Sequence, residues 1–101
     1  MKVKIEENYA CIFPEESIDL TNCEKLKEEF LELVEEKNIK NITLDFENVE
    51  KIDSSGLGKL LLFKKILEEK QGELKIKNVN SQYVKKVFNM VNLNETLNID
   101  M

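Results

Sequence analysis

The stretch "KIDSSGLGKLLLF", residues 51–63, decides how the chain is read. An apolar run with helical spacing follows a carboxylate, two serines and two glycines. Asp53 and the serines suit a helix N-cap, because a short side-chain oxygen can accept one of the first turn's unpaired N–H groups. The glycines need another reason, since each costs a helix up to about 1 kcal/mol relative to alanine. Gly56 and Gly58 therefore imply a close approach to the backbone, by a neighbouring element or by a partner. Leu57, Leu60, Phe63 and Leu67 share one face of the predicted helix and suit a core. Leu62 and Ile66 fall on another face, beside Lys59 and Lys65, and suit a partner surface.

Upstream, "VKIEENYACIF" alternates apolar and polar residues on both sides of a turn at Glu6 to Asn8, which predicts a hairpin that Pro14 ends. "TNCEKLKEEFLELVEEKN" predicts a helix. Thr21 and Glu24 have the spacing of a capping box, Cys23, Leu26, Phe30, Leu33 and Val34 form an apolar stripe, and Asn38 is a left-handed terminator. "NITLDF" is a strand with Ile42, Leu44 and Phe46 facing one way, and "ENVEKIDSSG" reads as a connection. The second helix is expected over about Ser55 to Lys70, closed by Gly72. "ELKIKNV" is a further strand. "NSQYVKKVFNMVNL" is a helix capped by Asn80 or Ser81, with Val84, Val87, Phe88 and Val91 towards the core. The tail "ETLNID" suits a short edge strand.

The order is ββαβαβα, with a possible final β. It predicts a small α/β domain over residues 1–101, with helices packed on a mixed, mostly parallel sheet. The loop "KIDSSG" then lies beyond a strand's carboxyl end, where ligands gather in such sheets, and its serines sit at the positive end of a helix.

Composition removes several functions. The net charge is −5, with fifteen Lys and Arg scattered among twenty acids, which opposes adhesion to nucleic acid or anionic membrane. No apolar run approaches the roughly 20 residues that cross a bilayer, and "MKVKIEENYA" lacks a signal peptide's apolar stretch, so a cytoplasmic location is expected. There is no histidine, which removes Ser-His-Asp and Cys-His catalysis. Cys11 and Cys23 suit a reduced, buried pair, with a disulfide as the lesser alternative, rather than a metal site; no metal and no cofactor is expected. Two plainer readings of the loop stand beside a regulatory one: a capped helix and nothing more, or an enzyme with Ser54 or Ser55 as nucleophile and Asp53 as base.

"IDSSGLGKLL", between a strand and the second helix, resembles the signature of the anti-sigma factor antagonists, which are STAS domains. "SIDLTNCEKLKEEF" and "SQYVKKVFNMVNLNETLNI" extend the resemblance over most of the chain. It implies a binding protein and not an enzyme. Its partner would be an anti-sigma factor that is also a GHKL-type serine kinase. That kinase would phosphorylate Ser54, the first serine of D-S-S-G, and a PP2C-type phosphatase would reverse the modification. The unphosphorylated form would hold the anti-sigma factor and free a sigma factor. Asp53, Ser55, Gly56, Leu57 and Gly58 match the rest of the motif, and Asp19 matches the aspartate of a second loop near the serine. "ESID" lacks the glycine that often stands before that aspartate, and little chain remains for the C-terminal helix of many relatives. The resemblance also allows a STAS signalling module of another kind, in a stressosome-like complex or bound to a nucleotide or other small ligand.

Overall fold

The computed structural model describes residues 1–100. Strands β1 (Lys2–Glu6) and β2 (Tyr9–Phe13) form the expected antiparallel hairpin. β3 (Glu16–Ile18) follows, then helix α1 (Cys23–Leu31), which runs into a π-helical turn at Glu32–Glu36. β4 (Asn41–Asp45), β5 (Val49–Ile52), α2 (Ser54–Glu69) and β6 (Glu73–Lys77) come next. α3 (Gln82–Met90), a short α4 (Leu93–Thr96) and β7 (Asn98–Asp100) complete the order.

The main sheet has the order β1-β2-β4-β6-β7, and every neighbouring pair except the hairpin is parallel. Period two assigns its faces. Ala10, Ile12, Ile42, Leu44, Leu74 and Ile76 are buried under the helices. Lys4, Cys11, Thr43 and Lys75 lie in one register row on the other face, which carries no helix. α1 and α2 meet over the sheet through the stacked rings of Phe30 and Phe63, whose centroids are 4.0 Å apart. Both rings are fully buried, which places the centre of the core between these helices. Asp45 belongs to the open face, yet Asn78 covers it and donates to both carboxylate oxygens at 3.1 and 3.2 Å.

Several expectations change. "ENVEKIDSSG" is not a plain connection: Val49–Ile52 pairs in parallel with Glu16–Ile18 as a second, two-stranded sheet. The capping box at Thr21 and Glu24 does not form, because α1 begins at Cys23 and the preceding turn is built on Asp19. Glu24 pairs instead with Lys59 of α2, at 2.8 Å. Val91 is 51% exposed because α3 ends at Met90 and Asn92 takes a left-handed conformation before α4. Cys23 is buried but Cys11 is only partly so and lies on the open sheet face, so the two are not a pair. Asn38 does terminate its helix, at φ 58°.

Gly72 does not end α2 through a left-handed conformation; Gln71 holds that conformation, at φ 62°. Gly72 is needed because the Lys40 backbone lies where its Cβ would be. This crossing lets Glu73 donate to the Lys40 carbonyl at 3.0 Å and start β6 beside β4. Gly58 is the opposite case, since a Cβ there meets no atom within 4 Å. Gly72→Ala should therefore lower the unfolding free energy by about 1–3 kcal/mol through forced displacement. Gly58→Ala should raise it by up to about 1 kcal/mol through helix propensity. Urea titrations of both variants check this pair of opposite signs.

Candidate functional site

β3 and β5 run parallel, so the loops that leave their carboxyl ends lie side by side. One loop carries residues 19–22 into α1, and the other carries Asp53 into α2. The Asp53 N–H donates to the Ile18 carbonyl at 3.2 Å, continuing the strand pairing into the loops.

Asp53 then acts in two directions. One carboxylate oxygen accepts the Gly56 N–H at 3.0 Å and caps α2. The other accepts the Leu20 N–H at 3.2 Å from the neighbouring loop. Gly56 lets this happen, because a Cβ there would run into the Ile18 carbonyl and side chain and the Ile52 side chain. The close approach inferred from sequence at Gly56 is thus an internal one.

Asp19 organises its own loop. One carboxylate oxygen accepts the Ser17 hydroxyl at 2.9 Å, and the other accepts the N–H groups of Thr21 and Asn22 at 3.0 and 3.1 Å. The Ser17 hydroxyl first, and then these backbone donors, hold the Asp19 carboxyl below its ordinary range. Its side chain is occupied in building the loop. The Asn22 side chain donates to the Ser17 carbonyl and accepts from the Asp19 N–H, closing the turn.

Ser54 is the first residue of α2 and is exposed, while Ser55 is half-buried. Their N–H groups belong to the first turn, whose donors have no partner within the helix and face the positive end of its dipole. Ser54, Ser55, Gly58 and Leu62 line a shallow depression of about 250 Å³ together with Leu20, Cys23, Glu24 and Lys59. The Lys59–Glu24 pair closes one side; pairing raises the pKa of Lys59 and lowers that of Glu24. Gly58 opens the middle, because no side chain rises from that turn.

The sequence-derived site residues do not all meet here. Gly56 is buried beneath the helix start, and Leu57 and Ile66 pack against the core as half-buried residues. Ile66 is therefore not the free partner-facing residue expected from its place on the wheel. Two exposed leucines were missed. Leu20 is 75% exposed and lies at the rim beside Ser54, and Leu61 is 43% exposed one helical turn from Gly58. Leu20 has a readable signal: it is the one large apolar residue in the polar run "DLTN".

Chemically, the arrangement can present a hydroxyl and hold negative charge there. It is poorly suited to activating that hydroxyl. Both Asp53 oxygens already accept N–H donors, and Lys59 is paired with Glu24. Among the described residues, no cluster of acids or cysteines could hold a metal ion, and no helix is long and apolar enough to cross a membrane.

The chain is similar in structure to TM1081 of Thermotoga maritima, a candidate anti-sigma factor antagonist, with a TM-score of 0.89 and 23% identity over 99% of this chain and 85% of that one. An anti-sigma factor antagonist from Mycobacterium paratuberculosis gives a TM-score of 0.84 at 16% identity, covering 98% of this chain and 82% of its own. The phosphorylated form of SpoIIAA, a Bacillus cell fate determinant, gives 0.75 at 21% identity, covering 99% and 90%. The unphosphorylated form of the anti-sigma factor antagonist SpoIIAA gives 0.76 at 18% identity, covering 99% and 86%. At these identities the likeness establishes the fold. The family model for the STAS domain matches residues 1–101, and with the β3–β5 loops and the α2 entrance in place, the chain belongs to the STAS domain family.

Proposed function

We propose that this STAS domain is an anti-sigma factor antagonist switched by phosphorylation of Ser54. Unphosphorylated, it holds an anti-sigma factor that is also a GHKL-type serine kinase, and so frees a sigma factor in the cytoplasm. The partner phosphorylates Ser54, and a PP2C-type phosphatase restores the hydroxyl. The domain itself performs no catalysis.

The observation that carries this reading is the exposed Ser54 hydroxyl at the open mouth of α2, flanked by a carboxylate whose oxygens are already committed. A visiting kinase can reach the oxygen, and both oxygens of the neighbouring Asp53 already accept N–H donors. The rim supports a partner as well. Leu20, Leu62 and the bare Gly58 line the same depression as the serine and give it apolar surface and open space.

Phosphorylation adds about −1.5 to −2 charges and three acceptor oxygens. The N–H groups of the first turn offset part of that charge, so the fold survives. The binding surface does not. A partner packed against a neutral hydroxyl and leucines must desolvate a dianion that stands beside Asp53. The similarity to SpoIIAA in both phosphorylation states, at TM-scores of 0.76 and 0.75, agrees with a switch that needs no refolding.

Incubation with ATP and the anti-sigma kinases of the same genome should add one phosphate, mapped to Ser54 by mass spectrometry. Ser54→Ala should bind the same kinase and gain no phosphate. Phosphate on another residue, or undiminished labelling of Ser54→Ala, would overturn the assignment. Placing a long cation in the open turn, as Gly58→Arg, should leave the circular dichroism unchanged. It should weaken kinase binding at least about tenfold, by steric and charge obstruction, as read by titration calorimetry.

A further inference from the structure

The open face of the main sheet holds a concavity of about 740 Å³, and no part of the proposed switch uses it. Lys4, Tyr9, Cys11, Phe13, Thr43 and Lys77 contribute to its walls. The volume lies in the range of small-molecule sites.

The register rows of this face balance in charge, with Lys2, Lys4, Lys75 and Lys77 among Glu6, Asp45, Glu73 and Asp100. The cavity itself is lined by two of the lysines, Lys4 and Lys77, and by one of the acids. The ammonium groups of Lys2 and Lys4 lie 5.6 and 5.5 Å from the centre of the Phe13 ring, which holds them over the strand. Lys77 is half-buried. Neither Lys4 nor Lys77 forms an ion pair with any described residue. Asp45 faces the same end without an ion pair to either lysine; its oxygens accept from Asn78 and from the Glu47 N–H, and its charge offsets part of theirs. The acid on the cavity wall is Glu6, and it stands in the row of Tyr9, at the other end from Phe13 and Lys77.

The cavity thus carries Lys77 and Phe13 at one end and the Tyr9 ring beside Glu6 at the other, with Lys4, Cys11 and Thr43 between them. Two lysines and the Thr43 hydroxyl face a head group, while the Tyr9 ring, 61% exposed, and the Cys11 side chain offer surface to a body. We infer that this cavity is a binding site for a small amphipathic organic anion, with its acid group between Lys4 and Lys77 and its flat apolar body over Cys11 towards Tyr9. The site is on the other side of the sheet from α2, so it can be filled in either state of Ser54.

The test uses the whole domain, labelled for NMR, with three probes: 2-naphthoate, the neutral 2-naphthylmethanol, and inorganic phosphate. Naphthoate should shift the amides of Cys11, Thr43 and Lys77 saturably, with half-saturation at or below about 1 mM. The alcohol and phosphate should each bind at least about tenfold more weakly, as each lacks one half of the recognised group. A Lys4→Gln, Lys77→Gln double variant, which alters one exposed and one half-buried side chain, should lose about tenfold in naphthoate affinity while its other amide positions stay in place. Unchanged affinity in that variant, equal binding of the neutral alcohol, or shifts confined to the Leu20 and Leu62 side of the molecule would each overturn the site.

Discussion

The Asp53 carboxylate is the joint on which the surface around Ser54 depends. It holds one N–H from the first turn of α2 and one from the loop that enters α1. Two elements that are distant in sequence are thereby fixed at one point. Net hydrogen bonds of this kind contribute only about 1 kcal/mol each to stability, with more expected when the acceptor is charged. Their larger effect is geometric, because they set where Leu20 lies relative to Ser54. Gly56 is the other half of the joint, since the backbone of Ile18 occupies the space a side chain would take.

From that joint the functional surface follows without invoking flexibility. The serine oxygen is left outside, at the one end of α2 that favours negative charge. Asp19 and Asn22 use their side chains to stiffen the facing loop, so the rim has a fixed shape before any partner arrives. A surface preorganised in this way binds without a large ordering cost, and a change of charge at its centre acts directly on affinity. A switch at Ser54, as proposed, would be local in cause and local in effect.

Much of this was legible in the sequence. Strict alternation in "NITLDF" and "ELKIK" and the apolar stripe from Cys23 to Val34 were enough to set the order of the main elements and the parallel sheet. What escaped was decided by tertiary contacts. Val49–Ile52 does not alternate, because Val49 and Ile52 both turn to the core while Glu50 and Lys51 are exposed, so the second sheet gave no period-two signal. Thr21 lost its capping role to Asp19, which lies two residues earlier and accepts the Thr21 N–H itself. The two glycines looked alike in sequence, yet Gly56 answers to a neighbouring backbone and Gly58 to empty space. Leu20 stood outside every periodic run, and only its place beside Ser54 gives it meaning.

The most direct measurement compares one partner with two forms of one domain. The anti-sigma kinase would be titrated into the unmodified domain and into the same domain carrying phosphate on Ser54, with amide spectra recorded for both. The expected result is a spectrum that changes only around the α2 entrance, with an affinity lower by about 2–5 kcal/mol, which is about thirtyfold to several thousandfold. Equal affinities for the two forms, or a loss of affinity accompanied by spectral changes throughout the sheet, would contradict a local electrostatic switch at Ser54.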